Sequence, residues 1–192
     1  MGALIEAVSA LTSHGLRKPS ARRLADDAAR TCLAYAGKEP GDIGMLINAG
    51  IYREDNMGEP ALAALVQEDI GASPGQPPIG GSGTFSFDLL NGTCGVISAI
   101  QVQAGLLCSG VIRLGAIVTS DVHPGLVDPR SAPFRPAGGA LLLGWDDSIP
   151  GFRLPYRNVS RVRRSARQRA GVAGTTEAPH SGERSRPQRD GH

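Results

Sequence analysis

The chain has 192 residues, 41% hydrophobic and 20% charged, with 20 basic and 18 acidic side chains. That is enough apolar material for one ordinary domain with its own core, and it excludes a wholly disordered chain. Three cysteines form an odd set with no CxxC or Cys/His spacing, so neither a disulfide framework nor a metal site is expected.

The opening MGALIEAVSALTSHG has no basic leader followed by an apolar run and a small-residue cleavage site, so a cytoplasmic location is expected. The charge is unevenly spread. Residues 157–192 hold nine arginines against three acidic residues, +6, leaving 11 basic against 15 acidic residues, −4, in the body. The basic end has no Leu, Ile, Phe, Met, Tyr or Trp, so it has nothing large to bury and is expected to be disordered. No aromatic residue interleaves with its arginines, which argues against a nucleic-acid-binding fold. A basic arm for RNA, DNA or an acidic partner, and a GC-rich coding region read in another frame, are the other readings of this composition. The division is a body over 1–152 and an Arg-rich tail over 153–192.

Along the body, strand-length apolar runs alternate with helix-period segments, the pattern of an α/β layered domain. ALIEAV, residues 3–8, reads as a first strand. Ser20 caps a helix that runs to Ala36 and stops at Gly37, with Leu24, Ala28, Cys32 and Tyr35 on its buried stripe. DIGMLINAG, residues 42–50, reads as a strand. A second helix starts near Pro60, carries Leu62, Leu65, Val66 and Ile70 on one face, and ends at Gly71. ASPGQPPIGGSG is a loop. Its GGSG is no phosphate cradle, because it leads into the strand TFSFDLL and not into a helix.

From Leu89 to Ile112 there are 24 consecutive uncharged residues. Asn91, Gln101, Gln103 and four glycines interrupt them, which argues against a membrane span. The run reads as a strand ending at about Leu90, an NGT turn, and a helix from Cys94 to Ser109. That helix is apolar on nearly all faces, so it is expected to be buried on every side, with Cys108 in the core. LGAIVTSD (114–121) and GGALLLGW (138–145) supply two further strands.

Cys94 stands where a strand and a glycine-containing turn deliver a thiol to the start of a helix. Free amides and the helix dipole at that point favour the thiolate, and the same amides can hold an oxyanion when a thioester carbonyl is attacked. Thr93 and Gly95 form the supporting turn. Cys32 is expected to pack as a small hydrophobe. His14, His180 and His192 lie in an early loop and the tail, and His123 follows a strand in SDVHPG, the one position from which an imidazole could act on Cys94 as base. Ser98 lies inside the helix and lacks a base.

The stretch FSFDLLNGTCGVISAIQVQAGLLCSGVIRLGAIVTSD resembles the nucleophile region of the thiolase superfamily, and of its β-ketoacyl-acyl-carrier-protein synthase III group in particular. AARTCLAYAGKEPGDIGMLINAG and RPAGGALLLGW resemble that family's preceding helix and strand and the strand closing its first half. The resemblance implies a βαβαβαββ half fold, a mixed sheet packed by helices, with Cys94 as the acyl-accepting cysteine. It implies acyl-CoA or the phosphopantetheine arm of an acyl carrier protein as substrate carrier, with no bound cofactor and no metal. Thr93-Cys94-Gly95 departs from the family's usual Ala-Cys-Ser-Gly, and the arginine loop that grips the phosphopantetheine arm is not seen. In the family the fold is duplicated, and the His and Asn of the site come from the second half. The chain thus reads as the first half, inactive in condensation by itself. It is expected to pair as a homodimer, partly through the FSFD strand, or with a complementary half, and to bind neither membrane nor nucleic acid. A non-catalytic interaction subunit is the alternative.

Overall fold

Gly2–Thr12 forms β1, longer at both ends than the six residues the apolar run suggests. Its extension comes from an antiparallel partner, β5 (Ala137–Asp146), which pairs with it from Gly2 opposite Asp146 to Thr12 opposite Ala137. The computed structural model describes residues 1–13, 19–73, 83–125, 134–148 and 150–151. The Arg-rich tail, His14, His180, His192 and most of the loop before TFSFDLL lie outside them.

The first helix, α1, spans Ala21–Ala36. The Ser20 side chain accepts a hydrogen bond from the Arg23 amide, and the helix closes at Gly37 with φ 61°, both as the sequence predicts. Its buried face runs through Leu24, Ala28 and Cys32. Tyr35 departs from expectation and is 73% exposed. The stripe continues in steps of four to the partly buried Ala36, which leaves position 35 turned outward.

β2 covers Met45–Asn48, α2 Leu62–Ile70, β3 Phe85–Asp88, α3 Gly95–Cys108 and β4 Gly115–Asp121. Pro60 is not in the first turn of α2: it precedes the N-cap residue, Ala61. β3 ends at Asp88, two residues before the expected Leu90.

The element order is the expected βαβαβαββ, and the strands form a mixed sheet in the order β1-β5-β4-β2-β3. β2, β3 and β4 are mutually parallel, whereas β5 runs antiparallel to β4 and to β1. Successive residues of a strand face opposite sides, so the sheet carries two cores. Leu46, Ala116, Val118, Ala140 and Leu142 pack against α1 and α2. Met45, Ile47, Ile117 and Leu143 pack under α3 with Ala99, Ala104 and Leu107.

Helix α3 has the predicted boundaries, yet it is not covered on all sides. Ala99, Gln103, Ala104 and Leu107 are buried, while Ile97 and Val102 are 54% and 39% exposed. Cys108, expected in the core, is exposed on that outward face. The sheet can cover only one face of a helix lying upon it. Among the described residues no helix is long and apolar enough to cross a membrane.

Candidate active site

The three parallel strands end along one edge of the sheet, at Asn48, Asp88 and Asp121, and the connections that follow them are tied together there. The Asp121 carboxylate accepts hydrogen bonds from the Ile51 and Tyr52 amides at 2.8 and 2.7 Å. Asn48 folds back on its own loop, its Oδ1 accepting from the Gly50 amide at 3.1 Å, and its Nδ2 donates to Asp88 Oδ1 at 3.1 Å.

Asp88 is the hub of this edge. Its Oδ2 accepts from the Leu62 amide and its Oδ1 from the Ala63 amide, each at 2.9 Å, so it caps α2 from 26 and 25 residues away. The same carboxylate pairs with the guanidinium of Arg53, which is only 7% exposed. Burial alone would push the Asp88 carboxyl up; the Ala63 amide, Arg53 and the Leu62 amide outweigh it and hold the group below the usual carboxylate range. Neither role was read from the sequence. The one available signal was Pro60 before an apolar run with no Ser, Thr, Asp or Asn to cap it, which implies a cap supplied from elsewhere.

From Asp88 the chain runs through Leu89, whose amide donates to the Asn48 carbonyl at 2.8 Å. It then makes a 3-10 turn over Gly92–Cys94 that passes directly into α3. Asn91 Nδ2 donates to Ser98 Oγ at 2.9 Å, clamping the turn to the first coil of the helix. Cys94 is the N-cap residue of α3 and is exposed. Thr93 is exposed beside it, and Gly95 is buried. A β-carbon at Gly95 would stand 3.2 Å from the Ala49 carbonyl oxygen and 3.4 Å from that of Leu89, so the missing side chain lets the start of α3 settle against the ends of β2 and β3. The structure therefore brings Cys94, Thr93 and Gly95 together at a helix start.

The other predicted residues are elsewhere. Cys32 is buried in α1, its Sγ 3.6 Å from the Ala140 carbonyl oxygen, and burial raises its thiol pKa. His123 packs on Phe134, ring centroids 4.4 Å apart, and Phe134 stacks on Tyr52 at 5.4 Å. Beside this aromatic group a shallow cleft of about 330 Å³ is lined by Thr119, Asp121, Arg135 and Gly139. On the far face of the sheet, Asp26 of α1 lies beside Asp69 of α2. Burial and then the Asp69 carboxylate raise the Asp26 carboxyl to about 7, while Arg22 holds Asp69 low.

Comparison with known proteins agrees with this architecture. No family model matches the chain. Over 128 residues it is 28% identical to the β-ketoacyl-[acyl-carrier-protein] synthase III of Sphingopyxis alaskensis, covering 65% of this chain and 36% of that protein. It thus spans about a third of the length of that curated relative. Among solved structures it is similar to a priming β-ketosynthase of a polyketide biosynthetic pathway, with a TM-score of 0.65 at 17% identity over 78% of this chain and 52% of that one. It is also similar to the 3-oxoacyl-[acyl-carrier-protein] synthase III of Aquifex aeolicus, with a TM-score of 0.59 at 16% identity over 76% and 55%. Xanthomonas campestris OleA, solved with bound lauric acid and lauroyl-CoA, gives 0.58 at 18% over 75% and 56%. The resemblance read from the sequence therefore holds: this chain is similar in sequence to β-ketoacyl-acyl-carrier-protein synthase III and carries the matching part of the thiolase-type fold.

Proposed function

We propose that the chain carries the nucleophile portion of a condensing enzyme of the synthase III type, with Cys94 as the acyl acceptor. The observation that supports this most is an exposed thiol at the N-cap of α3, at the carboxyl edge of three parallel strands, in a chain similar to such a synthase. In this reading the Cys94 thiolate attacks the carbonyl of an acyl thioester, carried by coenzyme A or by an acyl carrier protein. The carrier leaves as its thiol and the acyl group remains on sulfur. The Cys94 and Gly95 amides already donate to the Asn91 and Gly92 carbonyls, so in this reading the oxyanion falls to the amides of the first turn of α3 beyond Gly95.

Condensation with a malonyl thioester asks for more. By the family resemblance, the His and Asn that promote decarboxylation come from a second half of the fold, supplied by a complementary chain or region. This chain by itself then accepts the acyl group but does not condense it, and it acts in the cytoplasm, where acyl carriers are found. Intact-mass analysis after incubation with an acyl-CoA tests the reading. One acyl increment on the wild type, absent from Cys94→Ala, is the expected result. Steady release of carbon dioxide from a malonyl thioester by this chain alone, with a β-ketoacyl thioester as product and both lost in Cys94→Ala, would show that it condenses unaided. The uncharged outward face of α3 favours a second reading, a non-catalytic subunit that pairs with a complementary thiolase-fold chain; failure of Cys94 to acylate selects it.

A further inference from the structure

Three side chains of α1 on one helical stripe, Arg22, Asp26 and Arg30, converge on a single residue of α2. The Arg22 guanidinium donates to both carboxylate oxygens of Asp69, Nη2 reaching Oδ1 at 2.6 Å, and Arg30 donates to the Asp69 main-chain carbonyl. That carbonyl belongs to the last turn of α2, where a helix leaves its own acceptors unfilled. Between the two arginines stands Asp26, whose carboxyl hydrogen-bonds to that of Asp69.

Ionised carboxylates carry acceptors only, so this contact exists only while one of the two holds a proton. Asp69 has Arg22 on both oxygens, whereas Asp26 Oδ1 is buried without a partner. Such an oxygen is tolerable on a neutral carboxyl and costly on a carboxylate, so the proton belongs to Asp26. The charged groups that face Asp26 are Arg22 and Arg30 on its own helix and Asp69 on α2, and Glu68 of α2 acts on Arg22. Burial and Asp69 outweigh the two arginines.

The other end of α2 is held differently. There Asp88 caps the helix and is kept ionised by Arg53 and the Leu62 and Ala63 amides. Between the two ends, Gln67 ties α2 to β3, its Nε2 donating to the Thr84 carbonyl at 3.0 Å and its Oε1 accepting from Ser86 Oγ at 2.5 Å. The helix thus has one anchor that needs a carboxylate and one that needs a carboxylic acid.

We propose that Asp26 and Asp69 form a proton-operated latch: one proton shared between them holds the last turn of α2 on α1, and its loss frees that turn while the Asp88 end stays anchored. The latch does not depend on Cys94 accepting an acyl group. Once open, Asp26 meets water and titrates as an ordinary carboxyl near 3.8, whereas in the closed latch it keeps its proton up to about 7. Opening therefore releases a proton between those values, and the open fraction rises about tenfold per pH unit across them before levelling off.

Hydrogen exchange of the whole chain, read by mass spectrometry as protection factors from about pH 5 to about pH 7, tests this. The Gly71 and Ala72 amides, which bond to the Glu68 and Gln67 carbonyls, are expected to lose protection about tenfold per pH unit, while those of β4 hold theirs. Asp26→Asn keeps a side-chain donor for Asp69 at every pH and is expected to retain full protection throughout. Asp26→Ala has neither donor nor charge, and is expected to show weak protection of that turn without a slope. Protection in the wild type that does not vary with pH, a slope that survives in either variant, or a loss shared equally by β4 would each overturn the latch.

Discussion

The carboxylate of Asp88, at the end of β3, holds the guanidinium of Arg53 from the loop after β2 and caps the first two amides of α2. Both ends of the β2–α2 connection are tied to the end of β3 through one side chain, six residues before Cys94.

Breaking that pair should be costly. Both side chains are largely buried, and removing one partner leaves the other charge unpaired, a loss of about 3–5 kcal/mol. Asp88→Ala should exceed Arg53→Ala, because it also strips the cap from α2. Urea denaturation of both single variants and the double variant measures this, and the double should cost less than the sum of the singles. The Asp88 carboxyl is held low in the folded state, so its contribution is present above the ordinary carboxylate range and is lost as pH falls through the folded value.

The opposite pH dependence should come from α1. Folding raises the Asp26 carboxyl from an ordinary 3.8 to about 7, so the native state keeps a proton that the unfolded chain gives up. Stability from this group is full below pH 3.8 and falls as pH rises toward about 7. Its neighbour Asp69 is held low by Arg22, and its contribution is lost only in acid. Asp26→Asn should flatten the decline and raise stability at neutral pH. Denaturation midpoints across this range, compared with the wild type, give the answer.

The three thiols should separate cleanly by exposure. Cys94 and Cys108 are exposed, whereas Cys32 is buried with a raised thiol pKa. Brief alkylation of the freshly reduced, dilute native chain is expected to add two labels, and alkylation in denaturant three. A labelled Cys32 in the native state would contradict the packing of α1 on β5.

At the start of α3, Gly95→Val would force a branched side chain into a gap already tight for a single carbon. Overpacking of this kind costs about 1–3 kcal/mol. The variant should unfold earlier in urea, and its Cys94 should lose alkylation rate relative to Cys108, since the turn that presents the thiol rests on that contact. An unchanged ratio would mean that the turn is held by other contacts.

The sequence alone determined the features governed by near neighbours. Ser20 and Gly37 bracket α1, the NGT turn and Cys94 open α3, and the alternation of strand and helix gives βαβαβαββ, because caps, turns and periodicity act within a few residues. The position of Cys94 at the start of α3 was legible for the same reason, whereas its assignment as acyl acceptor comes from the family resemblance. Tertiary structure decided what depends on residues far apart. It turned Tyr35 and Cys108 outward, because a helix has one covered face and its rotation is set by the sheet beneath it. It also buried Arg53 and capped α2 with Asp88, partners 35 and 26 residues apart. A charged side chain is read as exposed until its counter-charge is found, and only the fold brings the two within reach.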